Sequence, residues 1–201
     1  TLLFTGNMSY APNVDAAQHL VKDILPHIQT RPIRVVLAGA EPAPSVAALA
    51  SDELFEDPHF PADVSSLLDA TMMHPPSHKK WQTYEWRRPS QVYGWGNYSL
   101  YDVIDVNDIK QGKCGDCYFL STLSSLAEYP DRIEKIFNTH QVNDAGCYAV
   151  TVYVNGEKRT VVVDDYFPFD TTTNDFAFAR VQKSGGENEI WVPILEKVWA
   201  K

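Results

Sequence analysis

The sequence predicts an α+β protein preceded by a small α/β unit, and three patterns predict it. Behind Gly112 and Gly115, apolar residues recur at helical spacing in a segment that opens at Cys117. Two runs of alternating residues flank Asn155-Gly156. In the first fifty residues, strand-like, helix-like and again strand-like patterns follow one another.

The leading unit is predicted over residues 1–52. Thr1-Leu2-Leu3-Phe4-Thr5 reads as a short strand and Gly6-Asn7-Met8-Ser9-Tyr10 as a loop. Pro12 then opens a helix in which Val14, Ala17, Leu20, Val21, Ile24, Leu25 and Ile28 share one face, before a second strand over residues 33–38. Gly39 to Pro44 makes the next turn, and Ser45 caps a short alanine-rich helix. Such alternation implies a parallel sheet covered on both faces.

Residues 53–201 form the larger unit. Met72 to Lys80 reads as an exposed loop, because consecutive prolines block a helix and the charges show no period. The aromatics Trp81, Tyr84, Trp86, Tyr93, Trp95 and Tyr98 have irregular spacing, which suits the flank of a core better than a binding patch. Downstream, Cys147–Val154 and residues 159–163 alternate around Asn155-Gly156, the signature of a type I′ hairpin. Residues 187–201 are predicted as a closing helix, with Pro193 near its first turn.

The chemistry concentrates in Gln111-Gly112-Lys113-Cys114-Gly115-Asp116-Cys117-Tyr118-Phe119-Leu120-Ser121. Asp116 is the expected N-cap, and Phe119, Leu120, Leu123, Leu126 and Ala127 follow on one face. A thiol in a first helical turn meets unpaired N–H groups and the positive end of the macrodipole, which favour thiolate. Other readings fit less well. Cys114 and Cys117 form a lone C-x-x-C, but a zinc site wants a second ligand pair, and only Cys147 and a scattered His140 are on offer. A thioredoxin-like pair wants a strand before it, whereas residues 105–110 are mostly polar. An inert packed cysteine would not need two glycines and a helix start. Cys117 is therefore expected to be a nucleophile.

Cys114-Gly115-Asp116-Cys117-Tyr118 meets the papain-type pattern C-G-[SA]-C-[WY] except for aspartate at its third place. With Gln111-Gly112 ahead of it, the motif resembles the calpain branch of papain-like cysteine proteases. Further matches follow in order: Leu54 to Pro61, Trp86-Arg87-Arg88-Pro89, Val161 to Pro168, Asn188-Glu189-Ile190-Trp191 and Leu195 to Lys201. The resemblance implies a papain-like helical lobe with a central nucleophile helix and a β-hairpin. It gives Cys117 the role of nucleophile toward a peptide carbonyl. Gln111 becomes an oxyanion donor beside the Cys117 backbone N–H, such donors being worth about 3 to 4 kcal/mol each. It also implies calcium, held by Asp108 and Glu189 with carbonyl groups of Tyr101 and Val103, an oxygen-only set suited to a hard cation. Asp164-Asp165 reads as a strand-end turn without chemistry.

Such a protease needs a histidine base and an Asn or Asp to orient it, lying roughly 130 to 150 residues past the cysteine. From Cys117 that window falls beyond Lys201, and His140 lies too near in sequence. The expectation is a nucleophile half acting on protein or peptide substrates only if a second lobe is supplied, and inactive alone. The rival reading is a non-catalytic calcium-responsive or interaction module.

The opening unit resembles the nucleotide-sugar lobe of retaining glycosyltransferases with two Rossmann lobes, on Phe4-Thr5-Gly6-Asn7-Met8-Ser9-Tyr10, Pro12 to Ala16 and Gly39-Ala40-Glu41-Pro42. There Gly6 and Asn7 would be the remnant of a phosphate-facing loop. Two families meeting near Ser51 and Asp52, with no initiating Met and an end inside a helix, suggest a chimera: a glycosyltransferase fragment over 1–52 and a protease lobe over 53–201.

Composition agrees with a soluble, cytoplasmic chain. Its 44% hydrophobic content supports a sizeable core, and a net charge of -9 without a basic stripe argues against nucleic acid. No apolar run approaches the ~20 residues of a membrane span, and no signal peptide opens the chain. Three cysteines do not make a disulfide framework. The one bridge the papain resemblance allows joins Cys114 to Cys147.

Overall fold

The computed structural model describes residues 54–68, 73–74, 76–181 and 188–201. The predicted βαβ unit of residues 1–52, with Gly6 and Asn7, lies outside the described residues. Within them run four α-helices: α1 (Pro89–Tyr93), α2 (Cys117–Ala127), α3 (Pro130–Ile136) and α4 (Trp191–Ala200). Nine short strands accompany them: β1 (Glu85–Arg87), β2 (Tyr98–Ser99), β3 (Ile109–Lys110), β4 (Cys147–Val154), β5 (Glu157–Asp164), β6 (Phe167–Asp170), β7 (Asp175–Phe176), β8 (Arg180–Val181) and β9 (Asn188–Glu189). The mixture is α+β, with small sheets surrounding helices.

The hairpin forms as its turn chemistry predicts. β4 and β5 pair antiparallel from Cys147 opposite Asp164 to Val154 opposite Glu157. Asn155 and Gly156 both adopt positive φ, 55° and 82°, the two left-handed residues of a type I′ turn. β6 pairs with both β1 and β7, while β3 pairs antiparallel with β8.

α2 buries Phe119, Leu120, Leu123 and Ala127 on the face predicted from spacing. It packs against α3, against β3 and against the 3-10 turn Val106–Asp108. The core continues through Ile133, Phe137, Tyr148, Val150 and Val163 into α4. α4 is apolar almost all round and buried accordingly, from Trp191 to Leu195 and again at Val198. Its Pro193 sits in the first turn, where a missing N–H forfeits no intrahelical bond.

Two expectations are corrected. The closing helix starts at Trp191 rather than 187, because Asn188–Glu189 pair parallel with β2 and the Ile190 and Trp191 N–H groups bond to carbonyls of Ser99 and Leu100. Trp191 gives its N–H to Leu100 rather than to the carbonyl four residues back, so the helical bonds begin with the Ile194 N–H on the Ile190 carbonyl. The expected loop at 72–80 is partly a 3-10 helix, Pro76–Thr83. Proline at its first position breaks nothing, since that N–H would be unpaired anyway.

Candidate active site

The loop from Gln111 to Asp116 is clamped near its start, at Gly112 and Lys113. The Lys113 N–H bonds to the Ala177 carbonyl at 3.0 Å. Gly112 lies flush on Phe178: a Cβ there would come within 2.2 Å of two Phe178 backbone atoms. Inside the loop, Gln111 Nε2 donates to the Cys114 carbonyl at 3.0 Å. A primary amide has two N–H donors, and this bond fixes the side chain through one of them.

Asp116 holds the N-cap position, though not in the manner expected. Its backbone carbonyl accepts the Phe119 and Leu120 N–H groups at 2.8 and 3.2 Å, but its side chain makes no capping bond. With φ -105° and ψ 29°, the residue turns its carboxyl inward, where it is buried. The Cys117 and Tyr118 N–H groups precede the first intrahelical bond. They therefore remain at the helix mouth as donors. Cys117 itself is exposed. Beside it, Trp199 stacks on Phe119 at 5.1 Å and donates its Nε1–H to the Tyr118 hydroxyl at 3.1 Å.

All three cysteines are free, so the Cys114–Cys147 bridge does not form. Burial, then the nearby Asp116 and Glu196, push the Cys114 thiol up to about 12. Burial and the acids Asp164, Asp57 and Asp165 push Cys147 up to about 11. Neither environment favours the thiolate that metal binding or exchange chemistry requires. Among the described residues, no group of three or more His, Cys, Asp or Glu side chains is placed to hold a metal. The two-cysteine zinc reading thus gains nothing from the structure.

The acids assigned to calcium are both buried. Asp108 ends the 3-10 turn and accepts the Asp105 N–H at 3.2 Å. Glu189 Oε1 accepts the Asp102 N–H at 2.7 Å, and its Oε2 accepts the Trp191 Nε1–H at 3.1 Å. Glu189 is thereby brought against the loop that contains Tyr101 and Val103. Oxygen donors alone make up this set, and with two carboxylates it would need backbone carbonyls to reach the six to eight ligands of calcium. The residues fit a hard cation.

His140 is exposed, with Nδ1 3.2 Å from the Tyr101 hydroxyl, and His78 is stacked on Trp81 at 3.9 Å. Neither contact involves Cys117. Among the described residues the thiol has no hydrogen-bonded base.

Sequence reasoning missed a buried ionic lattice. Asp164 accepts Lys197 Nζ at 2.5 Å, the Asp57 N–H at 2.7 Å and the Tyr166 N–H at 2.8 Å. Asp165 pairs with Arg88 at 2.6 Å, and Arg88 also reaches the Phe55 carbonyl at 2.6 Å. Lys201 closes on Asp57 at 2.7 Å. The Asp164-Asp165 turn is thus the junction of the 55–57 segment, β5 and α4. One signal could have found it: Lys197 and Lys201, four apart at the end of a largely apolar helix, need acids to pair with.

A family model described as "Calpain family cysteine protease" matches residues 55–201. "Calpain-type cysteine protease ADL1" of Oryza sativa subsp. japonica and "Calpain-type cysteine protease DEK1" of Zea mays are each 36% identical over 182 residues, covering 88% of this chain and 8% of the relative. "Calpain-B" of Drosophila melanogaster is 29% identical over 163 residues, 77% of this chain and 16% of its own length. The chain thus spans under a tenth of the plant relatives it matches. The glycosyltransferase likeness of residues 1–52 finds no support in these matches, and coverage of 88% exceeds what residues 53–201 alone supply. A family match across 55–201 and relatives 36% identical over 88% of the chain lead to one assignment: the chain belongs to the calpain family of cysteine proteases.

Proposed function

We propose that this chain is the nucleophile half of a calcium-dependent cysteine endopeptidase. The observation that carries the reading is the exposed Cys117 at the mouth of a buried helix, behind a loop whose Gln111 amide is already oriented. The sulfur attacks a peptide carbonyl carbon, forming the C–S bond as charge moves to oxygen. The Cys117 N–H and the second Gln111 N–H are the donors for that oxyanion. Collapse expels the amine and leaves a thioester, which water hydrolyses. A histidine supplied by a second lobe takes the thiol proton and passes it to the leaving amine. Without that partner the chain does not turn over.

Asp108 and Glu189, with carbonyls of Tyr101 and Val103, are the residues that would hold calcium. The ion would supply positive charge that fixes the 101–108 loop against β9.

Joining the chain to a papain-type lobe that carries a histidine and an asparagine should yield calcium-stimulated peptide hydrolysis that Cys117→Ala abolishes. Hydrolysis surviving Cys117→Ala would refute the assignment. For calcium, the melting temperature of the chain should rise in millimolar calcium and not in Glu189→Gln. An equal response in both would remove Glu189 from the metal set.

A further inference from the structure

Asp116 directly precedes the nucleophile, is 6% exposed, and receives no hydrogen bond at either side-chain oxygen among the described residues. A buried carboxyl without partners is costly. The side chain that meets it is Glu196 of α4. The two oxygens of Glu196 already face the Ala179 N–H, at 3.2 and 3.1 Å. Two carboxylates are acceptors only, so Asp116 and Glu196 can bond to one another solely through a proton.

We propose that Glu196 is a positioning residue for the nucleophile loop, standing as a neutral carboxylic acid that accepts the Ala179 N–H while its O–H donates to Asp116. The arrangement completes a junction whose other contacts are already described, Lys113 to Ala177 and Gly112 on Phe178. One segment, 177–179, is thus tied to the loop through a backbone bond, a close approach and this acid. Burial first, and then Asp116, hold Glu196 well above the usual carboxylate range, against the pull of the Ala179 N–H. Among the described residues Cys114 also faces the pair; it is pushed up to about 12 and brings no charge to it near neutrality. The proposal stands on the buried, unpartnered Asp116 oxygens and on Glu196 held at Ala179 beside the loop; its purpose rests on Cys117 being the nucleophile.

Because the folded-state value of Glu196 lies above the unfolded one, its contribution is complete in acid. It is lost as pH rises from the ordinary glutamate range through the raised value. Glu196→Gln keeps an acceptor for Ala179 and a donor for Asp116 without titrating, whereas Glu196→Ala keeps neither. Melting temperatures of the 201-residue chain, followed from about pH 5 to pH 9, should decline less steeply in Glu196→Gln than in the unsubstituted chain. Glu196→Ala should melt lower throughout. Asp165, pushed up to about 6 by burial, titrates alike in all three and cancels in the comparison. At neutral pH the infrared spectrum should contain a protonated-carboxyl carbonyl band that Glu196→Gln lacks. Iodoacetamide labelling of Cys117 should stay within about twofold in Glu196→Gln and change by more in Glu196→Ala. A Glu196→Gln chain as unstable as Glu196→Ala, or no acid band at neutral pH, would overturn the proposal. None of these readouts needs turnover, so failed peptide hydrolysis would bear on the peptidase reading and leave this one standing.

Discussion

Alkylation with iodoacetamide at about pH 8 should separate the three cysteines by a margin that follows from their surroundings. A thiol held at about 12, as Cys114 is, is ionised in roughly one molecule in 10⁴, and one at about 11, as Cys147 is, in roughly one in 10³. An exposed ordinary thiol is ionised in roughly one in four. The more basic thiolates are also more nucleophilic, with a Brønsted slope of about 0.4 to 0.5, which returns a factor of roughly 40 to Cys114 and roughly 10 to Cys147. The net lag behind an exposed thiol is thus roughly 60-fold for Cys114 and roughly 20-fold for Cys147. Burial of Cys147, at 1% exposure, lengthens it further. Cys117 is the exposed thiol and should give the single fast phase, read as one adduct by intact-mass spectrometry and mapped by peptide digestion. Cys117→Ala should remove that phase alone. Equal rates for all three thiols, or a fast phase that survives Cys117→Ala, would refute the reasoning.

The two glycines of the 111–116 loop should behave oppositely. Gly112→Ala forces a Cβ to 2.2 Å from Phe178 backbone and should cost about 2 to 3 kcal/mol in urea unfolding, whereas Gly115→Ala meets nothing within 4 Å and should cost under about 0.5 kcal/mol. Similar losses for both would mean the Phe178 contact does not constrain the loop. Lys197→Met leaves Asp164 buried without its cation and should cost about 3 to 5 kcal/mol; adding Asp164→Asn should recover part of that. A single-variant loss below about 1 kcal/mol in the same assay would count against a net contribution from the pair.

What the sequence disclosed about the fold was the local part. The Asn155-Gly156 turn writes its own conformation, because only a residue pair tolerant of positive φ closes a type I′ hairpin. The buried face of α2 follows from spacing alone. Gln111 and Cys117 are legible as a motif, and the structure places Gln111 in the loop and Cys117 at the first residue of the helix that follows it. Asp116 takes the predicted N-cap position, yet aspartate there usually caps with its side chain, and only the tertiary setting, with Glu196 eighty residues away, accounts for a carboxyl turned inward. The ionic lattice was invisible for the same reason. Lys201 and Asp57 are 144 positions apart and share no periodicity. Asn188–Glu189 became a strand rather than a helical turn because β2 offered carbonyls that no local rule could anticipate.

α4 explains why a helix far from Cys117 in sequence matters to it. Entering the helix, Trp191 bonds to Glu189, the acid set against the 101–103 loop. One turn on, Glu196 meets Asp116 and Ala179 at the base of the nucleophile loop. Lys197 and Lys201 anchor the opposite side to Asp164 and Asp57. Trp199 lies on Phe119, two residues past the thiol. A ten-residue helix whose apolar face is buried moves as a unit, so these contacts share one rigid reference. The position of Cys117 is therefore set by two helices: α2 presents the sulfur, and α4 fixes the loop from which α2 begins.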